Sequence, residues 1–224
     1  MQTDKVNISE IFYSLQGEGF LAGVPSILIR VAGCPLRCKF CDTTYASNAK
    51  EGKKLSISQI LKQIKKYPTK YVVITGGEPM VCPQLPLLCN ALKKYHITVE
   101  TSGIKYVPGL KCDLMSISPK LSNAYFKPSD RSKYLKIEEI QKFITKYDYQ
   151  FKFVIEKEKD IKEVQQTLKK LKNVNLSKVM LMPQAKNPAD YLKRSYLVSR
   201  LCKKLGFAFS PRLHIMLWGN KKGR

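Results

Sequence analysis

Three cysteines stand at Cys-x3-Cys-x2-Cys spacing in Gly33-Cys34-Pro35-Leu36-Arg37-Cys38-Lys39-Phe40-Cys41-Asp42-Thr43. Thiolates converging in so short a loop bind a soft metal or an iron–sulfur cluster. Structural zinc would want a fourth ligand, usually from a second Cys/His pair at similar spacing. None is visible: Cys82, Cys89, Cys112 and Cys202 are isolated, and the only histidines are His96 and His214. Those four cysteines read as structural thiols. Three ligands to a four-iron cluster would leave one iron open for a cofactor or substrate.

Other polar groups punctuate the chain. Thr75-Gly76-Gly77-Glu78-Pro79 would let backbone approach a ligand closely, since glycine carries no Cβ. Glu100-Thr101-Ser102-Gly103, Ser116-Ile117-Ser118-Pro119-Lys120 and Leu181-Met182-Pro183-Gln184 each end an apolar run, as sites or as plain polar exits. Near the start, the segment 10–19, with Leu15-Gln16-Gly17-Glu18-Gly19, reads as a pocket wall or an ordinary hairpin turn. Arg30 offers a planar fork suited to a carboxylate. Far downstream come His214, Trp218, Asn220 and Arg224 in a terminal stretch where a lone histidine and tryptophan would ordinarily just pack.

The elements that must position these groups alternate. Apolar, β-branched runs at 26–31, 71–75, 97–101, 113–118, 151–155 and 178–182 read as strands, and continuous apolarity such as Tyr71-Val72-Val73-Ile74 suits parallel strands covered on both faces. Helices are expected from Ser56, with Gln59 completing a capping box, and over 84–95, 137–146, 161–171 and 188–205. Segments 46–54 and 122–133 read as loops. Six strand–helix units imply right-handed crossovers and an α/β fold, a parallel sheet or partial barrel. In such a fold, sites gather at the carboxyl ends of strands, where these motifs fall.

The 224 residues, 44% of them hydrophobic, suit one domain over 1–224. No run approaches the roughly 18–20 apolar residues of a membrane span. The start, Met1-Gln2-Thr3-Asp4-Lys5, lacks a signal-peptide pattern, so a cytoplasmic, reducing location is expected. Forty Lys and Arg against 17 acidic residues give +23. The lysines are scattered over helix faces, which favours a solvated surface over direct nucleic-acid binding and would also draw in anionic small molecules.

The cysteine loop, with Phe40 before the third cysteine, resembles the signature of the radical S-adenosylmethionine superfamily. That resemblance implies a [4Fe-4S] cluster on Cys34, Cys38 and Cys41, S-adenosyl-L-methionine bound at the open iron, and a partial (β/α)6 barrel. It implies cofactor contacts at Gly76, Gly77 and Glu78, along Ser118, Pro119 and Lys120, and at Gln184. The LQGEG segment, Arg30, the Cys41-Asp42-Thr43 triplet and the terminal His-x-x-Leu-Trp-Gly-Asn-Lys stretch together resemble the 7-carboxy-7-deazaguanine synthase family of queuosine and deazapurine biosynthesis. That likeness implies a ring contraction of 6-carboxy-5,6,7,8-tetrahydropterin with loss of ammonia. Substrate contacts would fall at Leu15, Gln16, Gly17, Glu18, Arg30, Thr75, His214 and Arg224, with Mg2+ at Thr43. A flavodoxin- or ferredoxin-like reductant and a homodimer are implied too. Two competing readings remain: a radical activase of a glycyl-radical enzyme, and a basic zinc-containing nucleic-acid module.

Overall fold

The structure is a computed structural model and describes residues 4–219 and 221–224. Met1, Gln2, Thr3 and the Asn220 of the terminal stretch lie outside the described residues.

Among the described residues, nine strands form one sheet: β1 (Lys5–Leu15), β2 (Pro25–Val31), β3 (Lys53–Ser56), β4 (Tyr71–Gly76), β5 (His96–Thr101), β6 (Leu114–Ile117), β7 (Tyr149–Ile155), β8 (Val179–Pro183) and β9 (Ala208–Phe209). Their order is β3-β1-β2-β4-β5-β6-β7-β8-β9. All pairings from β2 to β9 are parallel, whereas β1 runs antiparallel to both β2 and β3. The sheet is open, with β3 and β9 at its edges.

The six expected strands are β2, β4, β5, β6, β7 and β8. Three strands differ from expectation. The first half of segment 10–19 is the end of the long strand β1, and only the part beyond Leu15 turns. Segment 46–54, expected to be a loop, ends in β3, which pairs with the start of β1 from Lys5↔Ser56 to Ile8↔Lys53. At the opposite edge, β9 has two residues, held by β8.

Among the described residues there are seven α-helices: α1 (Ile57–Ile64), α2 (Leu85–Ala91), α3 (Arg131–Tyr134), α4 (Ile137–Lys146), α5 (Asp160–Lys169), α6 (Pro188–Leu205) and α7 (Leu213–Trp218). Ser56 and Gln59 form the expected capping box: Gln59 N donates to Ser56 Oγ at 3.2 Å and Ser56 N to Gln59 Oε1 at 2.8 Å. The helix expected over 84–95 stops at Ala91 and leaves by a turn into β5. Segment 122–133 is not wholly loop; it carries two short 3-10 turns and enters α3.

One contiguous core joins strand residues Ile27, Ile29, Ile74, Val99, Met115, Phe151, Phe153 and Leu181 to Ile60, Leu88, Phe143, Val164 and Val198 of the helices. Successive strand residues face opposite ways. While Phe151 and Phe153 enter that core, Gln150 and Lys152 therefore face the other side of the sheet. Polar residues there line up by register: Glu10 stands opposite Arg30, Arg30 opposite Thr75, Glu100 opposite Ser116 and Ser116 opposite Gln150. A bulge in β1 between Ile8 and Glu10 precedes the first of these pairs. Such irregularities re-aim side chains.

Candidate active site

At the carboxyl ends of the parallel strands lies a cavity of about 230 Å³. Its wall includes all three loop cysteines, Thr43, the arm residues Leu15 to Glu18, and Arg30. Thr75, Gly76, Gly77, Glu78, Ser118, Lys120, His214 and Arg224 line it as well. The fold thus brings most of the expected site residues together. Pro119 and Gln184 are not on that wall. Gln184 is buried, and its carbonyl accepts a bond from Arg194 Nη1 at 3.0 Å, which ties the end of β8 to α6.

The cysteine loop leaves β2 and is pinned on two sides. Gly33 N donates to Ala46 O at 2.8 Å and Cys34 N to Ser47 O at 3.1 Å. From the other side Leu36, Cys34, Cys38 and Phe40 pack against Ala124, Tyr125 and Tyr134. All seven cysteines are free thiols. Burial pushes the Cys34 thiol up to about 12, and the Cys38 thiol up as well, so these sulfurs hold their protons at neutral pH. A cationic iron core would displace those protons on binding. A single tetrahedral ion at about 2.3 Å from each thiolate would bring the sulfurs to roughly 4 Å from one another. Among the described residues, the one Cys/His/Asp/Glu trio with ligand atoms mutually within 4.8 Å is Glu18, Asp42 and His214, not the cysteines. Three thiols on one cavity wall, spread wider than one ion needs, fit a cluster.

Beside the loop, Gly76 and Gly77 end β4. Gly77 N donates to Val31 O and Glu78 N to Gly33 O, each at 2.9 Å. A Cβ on Gly77 would collide with the Gly33 carbonyl, so only glycine lets this turn lie against the cysteine loop. The Glu78 carboxylate is not free, so a cofactor contact at this cavity-lining residue would fall to its backbone. The carboxylate oxygens accept Thr101 Oγ1 at 2.6 Å, Ser102 N at 2.8 Å, Met80 N at 3.1 Å and the Ser102 hydroxyl. Four donors use the carboxylate's lone pairs. The residue builds the turn. Lys120 Nζ donates to Ser118 Oγ at 2.9 Å and to Ser118 O at 3.0 Å, which folds that strand end back on itself.

Arg30, on β2 just before the cysteine loop, lines the cavity beside Gly76. Glu10 takes its Nε at 2.7 Å, and Tyr45 Oη donates to the same Glu10 oxygen at 2.7 Å. Among the described residues no acceptor takes the two terminal nitrogens of Arg30, which leaves a fork for a planar anion. Burial alone would lower its pKa; Tyr45 and Glu10 outweigh that and raise it.

The arm after β1 carries Glu18, which stands between two cations. Lys152 Nζ lies 2.8 Å from Oε2 and Arg212 Nε 3.3 Å from Oε1. Burial would raise the Glu18 carboxyl, but Lys152 and Arg212 overcome it and hold it at about 2. Arg212 also binds Asp42 and donates to Ala185 O at 2.6 Å. Asp42 is held well below the usual carboxylate range: against the opposing effect of burial, Arg212 and His214 stabilise its charge. Because Arg212 pairs with both carboxylates and Lys152 pairs with Glu18 as well, the Glu18–Asp42–His214 trio is not a ready cation site. Thr43 Oγ1, 3.7 Å from Cys41 Sγ, stands free of that pairing and offers a hard oxygen suited to magnesium.

Tyr45, Lys152 and Arg212 had no role in the sequence expectation, and Glu10, Asp42 and Glu100 entered it only as members of the segment 10–19, the Cys41-Asp42-Thr43 triplet and the polar end of the 97–101 run. Lysine inside the otherwise apolar 151–155 run was a visible signal, because a charge on a covered strand needs a partner. Arg212 carried no local signal.

Comparison with known proteins gives the same picture. The family model described as Radical SAM superfamily matches residues 28–184. A 7-carboxy-7-deazaguanine synthase of Halobacterium salinarum is 33% identical over 95% of this chain and 90% of its own length. Another, of Pyrobaculum aerophilum, is 35% identical over 99% of each chain. Among solved structures, QueE of Escherichia coli superimposes with a TM-score of 0.68 over 92% of this chain and 93% of its own, at 24% identity, a likeness of fold. The cysteine loop, the glycine turn beside it and this end-to-end similarity place the chain in the radical SAM superfamily and, within it, in the 7-carboxy-7-deazaguanine synthase family.

Proposed function

We propose that the chain, acting as one domain over 1–224, rearranges 6-carboxy-5,6,7,8-tetrahydropterin to 7-carboxy-7-deazaguanine and ammonia. Cys34, Cys38 and Cys41 would hold the [4Fe-4S] cluster, and Gly76, Gly77, Ser118 and Lys120 would border the S-adenosyl-L-methionine. Pro119 and Gln184 would support that border from behind. Thr43 would contribute to a Mg2+ site, an electrophile for the charge that develops during rearrangement. The observation that carries the reading is one cavity wall with three thiols, an arginine fork at Arg30 and a charged carboxylate at Glu18.

When bound, the cluster and cofactor would supply the radical that takes a hydrogen atom from the substrate. Substrate minus ammonia has the composition of the product, so that hydrogen atom returns and no net oxidant is needed. The chain's residues bind and orient. Arg30, fixed by Glu10, receives the substrate carboxylate. Glu18 stays ionised and accepts from the N–H groups of the pterin's pyrimidine ring, with Gln16 and Thr75 beside it. Leu15, Gly17, His214 and Arg224 close the pocket over the bound ring. A flavodoxin- or ferredoxin-like protein would deliver the electron, and two copies of the chain would associate. No described helix is long and apolar enough to cross a membrane.

Anaerobic assay of reconstituted protein with the tetrahydropterin, S-adenosyl-L-methionine and dithionite tests this, with and without magnesium. Deazaguanine and ammonia in equal amounts, stimulated by magnesium, are expected. Neither product, despite cluster loading and cofactor cleavage, sinks the substrate assignment.

A further inference from the structure

Between the arm and the sheet runs an unbroken chain of alternating charges. Thr75 Oγ1 donates to Glu100 Oε2 at 2.7 Å, and Glu100 Oε1 meets Lys152 Nζ at 2.8 Å. Lys152 reaches on to Glu18, Glu18 to Arg212, and Arg212 to Asp42, the residue after the third loop cysteine. Three carboxylates against two cations leave one negative charge. Lys152 is the hub. Its side chain is only 2% exposed, and it is the residue that joins the carboxylate on β5 to the one on the arm. Without an ammonium between them, two partly buried carboxylates would face each other, and like charges so placed repel.

The consequence reaches the arm's backbone. Gln16 Nε2 donates to Glu100 Oε1 at 3.5 Å, while Gln16 Oε1 accepts from Glu18 N at 3.2 Å. The position of Glu100, set by Lys152, therefore sets Gln16, and Gln16 sets the Glu18 amide.

We infer that Lys152 is a positioning residue for substrate recognition: by bridging Glu18 and Glu100 it fixes the arm's carboxylate against the sheet and, through Arg212, ties the substrate arm to the cysteine loop. This rests on the proposed function for its substrate, but its structural half does not. Glu18 in one fixed geometry discriminates among ring substrates; Glu18 released from Lys152 does not.

Four measurements on Lys152→Met test it. In the cluster-free protein, amide hydrogen exchange at Glu18 should accelerate at least tenfold, while exchange in β7 and β8 stays within threefold of wild type. In loaded enzyme, KM for the tetrahydropterin should rise at least tenfold with a smaller loss in kcat. Iron content and substrate-free cofactor cleavage should stay within twofold. Should Lys152→Met fold poorly, Lys152→Met/Glu100→Gln, which removes equal and opposite charges, takes its place; failure of both to fold overturns the positioning role in favour of a purely structural one. Unchanged exchange at Glu18 overturns the inference whatever the substrate proves to be. Wild type inactive on the tetrahydropterin, with faster exchange in the variant, removes only the functional reading. Accelerated exchange with unchanged KM in an active enzyme overturns the recognition claim.

Discussion

Arg30 shows how much a single residue depends on its cross-strand neighbour. Its Nε is committed to Glu10 at 2.7 Å, and the direct pairing of the two residues across β1 and β2 makes that contact a product of strand register. Anchored by one nitrogen, the guanidinium presents the other two as a fixed fork. Lysine would keep the charge and lose the fork, because an ammonium is a point charge that cannot hold Glu10 and a second carboxylate in one plane. Hydrogen bonds to charged groups contribute about 1.5–3 kcal/mol, which converts to roughly 10- to 150-fold in affinity. Arg30→Lys should therefore raise KM for the tetrahydropterin by that range and leave substrate-free cofactor cleavage within twofold. Equal losses in both would mean that Arg30 supports the cluster instead. In the sequence Glu10 is only the start of a polar segment; its part comes from the register, which a linear order of residues does not contain.

At the scale of elements, the cavity is built by close approach of turns. The β4 turn lies on the cysteine loop because Gly77 has no side chain, and Gly33 O receives Glu78 N at 2.9 Å across the contact. Gly77→Ala would force the two turns apart, an overpacking that costs about 1–3 kcal/mol. Because Gly33 adjoins Cys34, the displacement falls on the cluster ligands. Iron bound per chain after reconstitution should drop by at least half, and the melting temperature of the cluster-free protein by several degrees; normal iron content in the variant would show the loop tolerates the shift. The docking of the arm obeys similar logic, with Phe20 N held by Gln150 Oε1 at 2.7 Å and Gly19 N by Ser210 Oγ at 3.0 Å. How legible were these elements? Parallel strands covered on both faces read as continuous apolar runs, and all six such runs became strands. Strand β1 did not read so, because it mixes Asn7, Ser9, Glu10 and Ser14 with its apolar residues and presents Glu10 to the polar row. Both β3 and β9 are short and are fixed by pairing with a neighbour, a long-range cause. The cysteine loop and the Gly-Gly turn were legible because their chemistry is local. Ties from Lys152 to Glu18 and from Arg212 to Asp42 span 134 and 170 residues, and spacing cannot show them.

Over the whole molecule, charge is divided in two regimes. Inside the cavity the ions are matched almost one to one and shielded from water. Outside, the chain carries most of its +23 on lysines spread over the surface, such as Lys62, Lys65, Lys93, Lys94, Lys169 and Lys170. Like charges at that density repel, and the repulsion is relieved on unfolding, so it lowers stability. Salt acts on the two regimes differently. At physiological ionic strength the Debye length is about 8 Å, long enough to screen surface lysines from one another and of little effect on a buried pair in direct contact. Raising potassium chloride from about 20 mM to about 300 mM shortens that length roughly fourfold by the same relation. The melting temperature of the cluster-free protein should therefore rise by several degrees over this interval, with the steepest part below about 100 mM. Stability that falls with added salt would mean instead that attractive surface pairs dominate, and that the scattered lysines are organised with acidic partners despite the excess of 40 over 17. The Lys152→Met variant separates the regimes: its destabilisation should be the same at both salt concentrations, because the ammonium it removes is buried and in direct contact with Glu18 and Glu100.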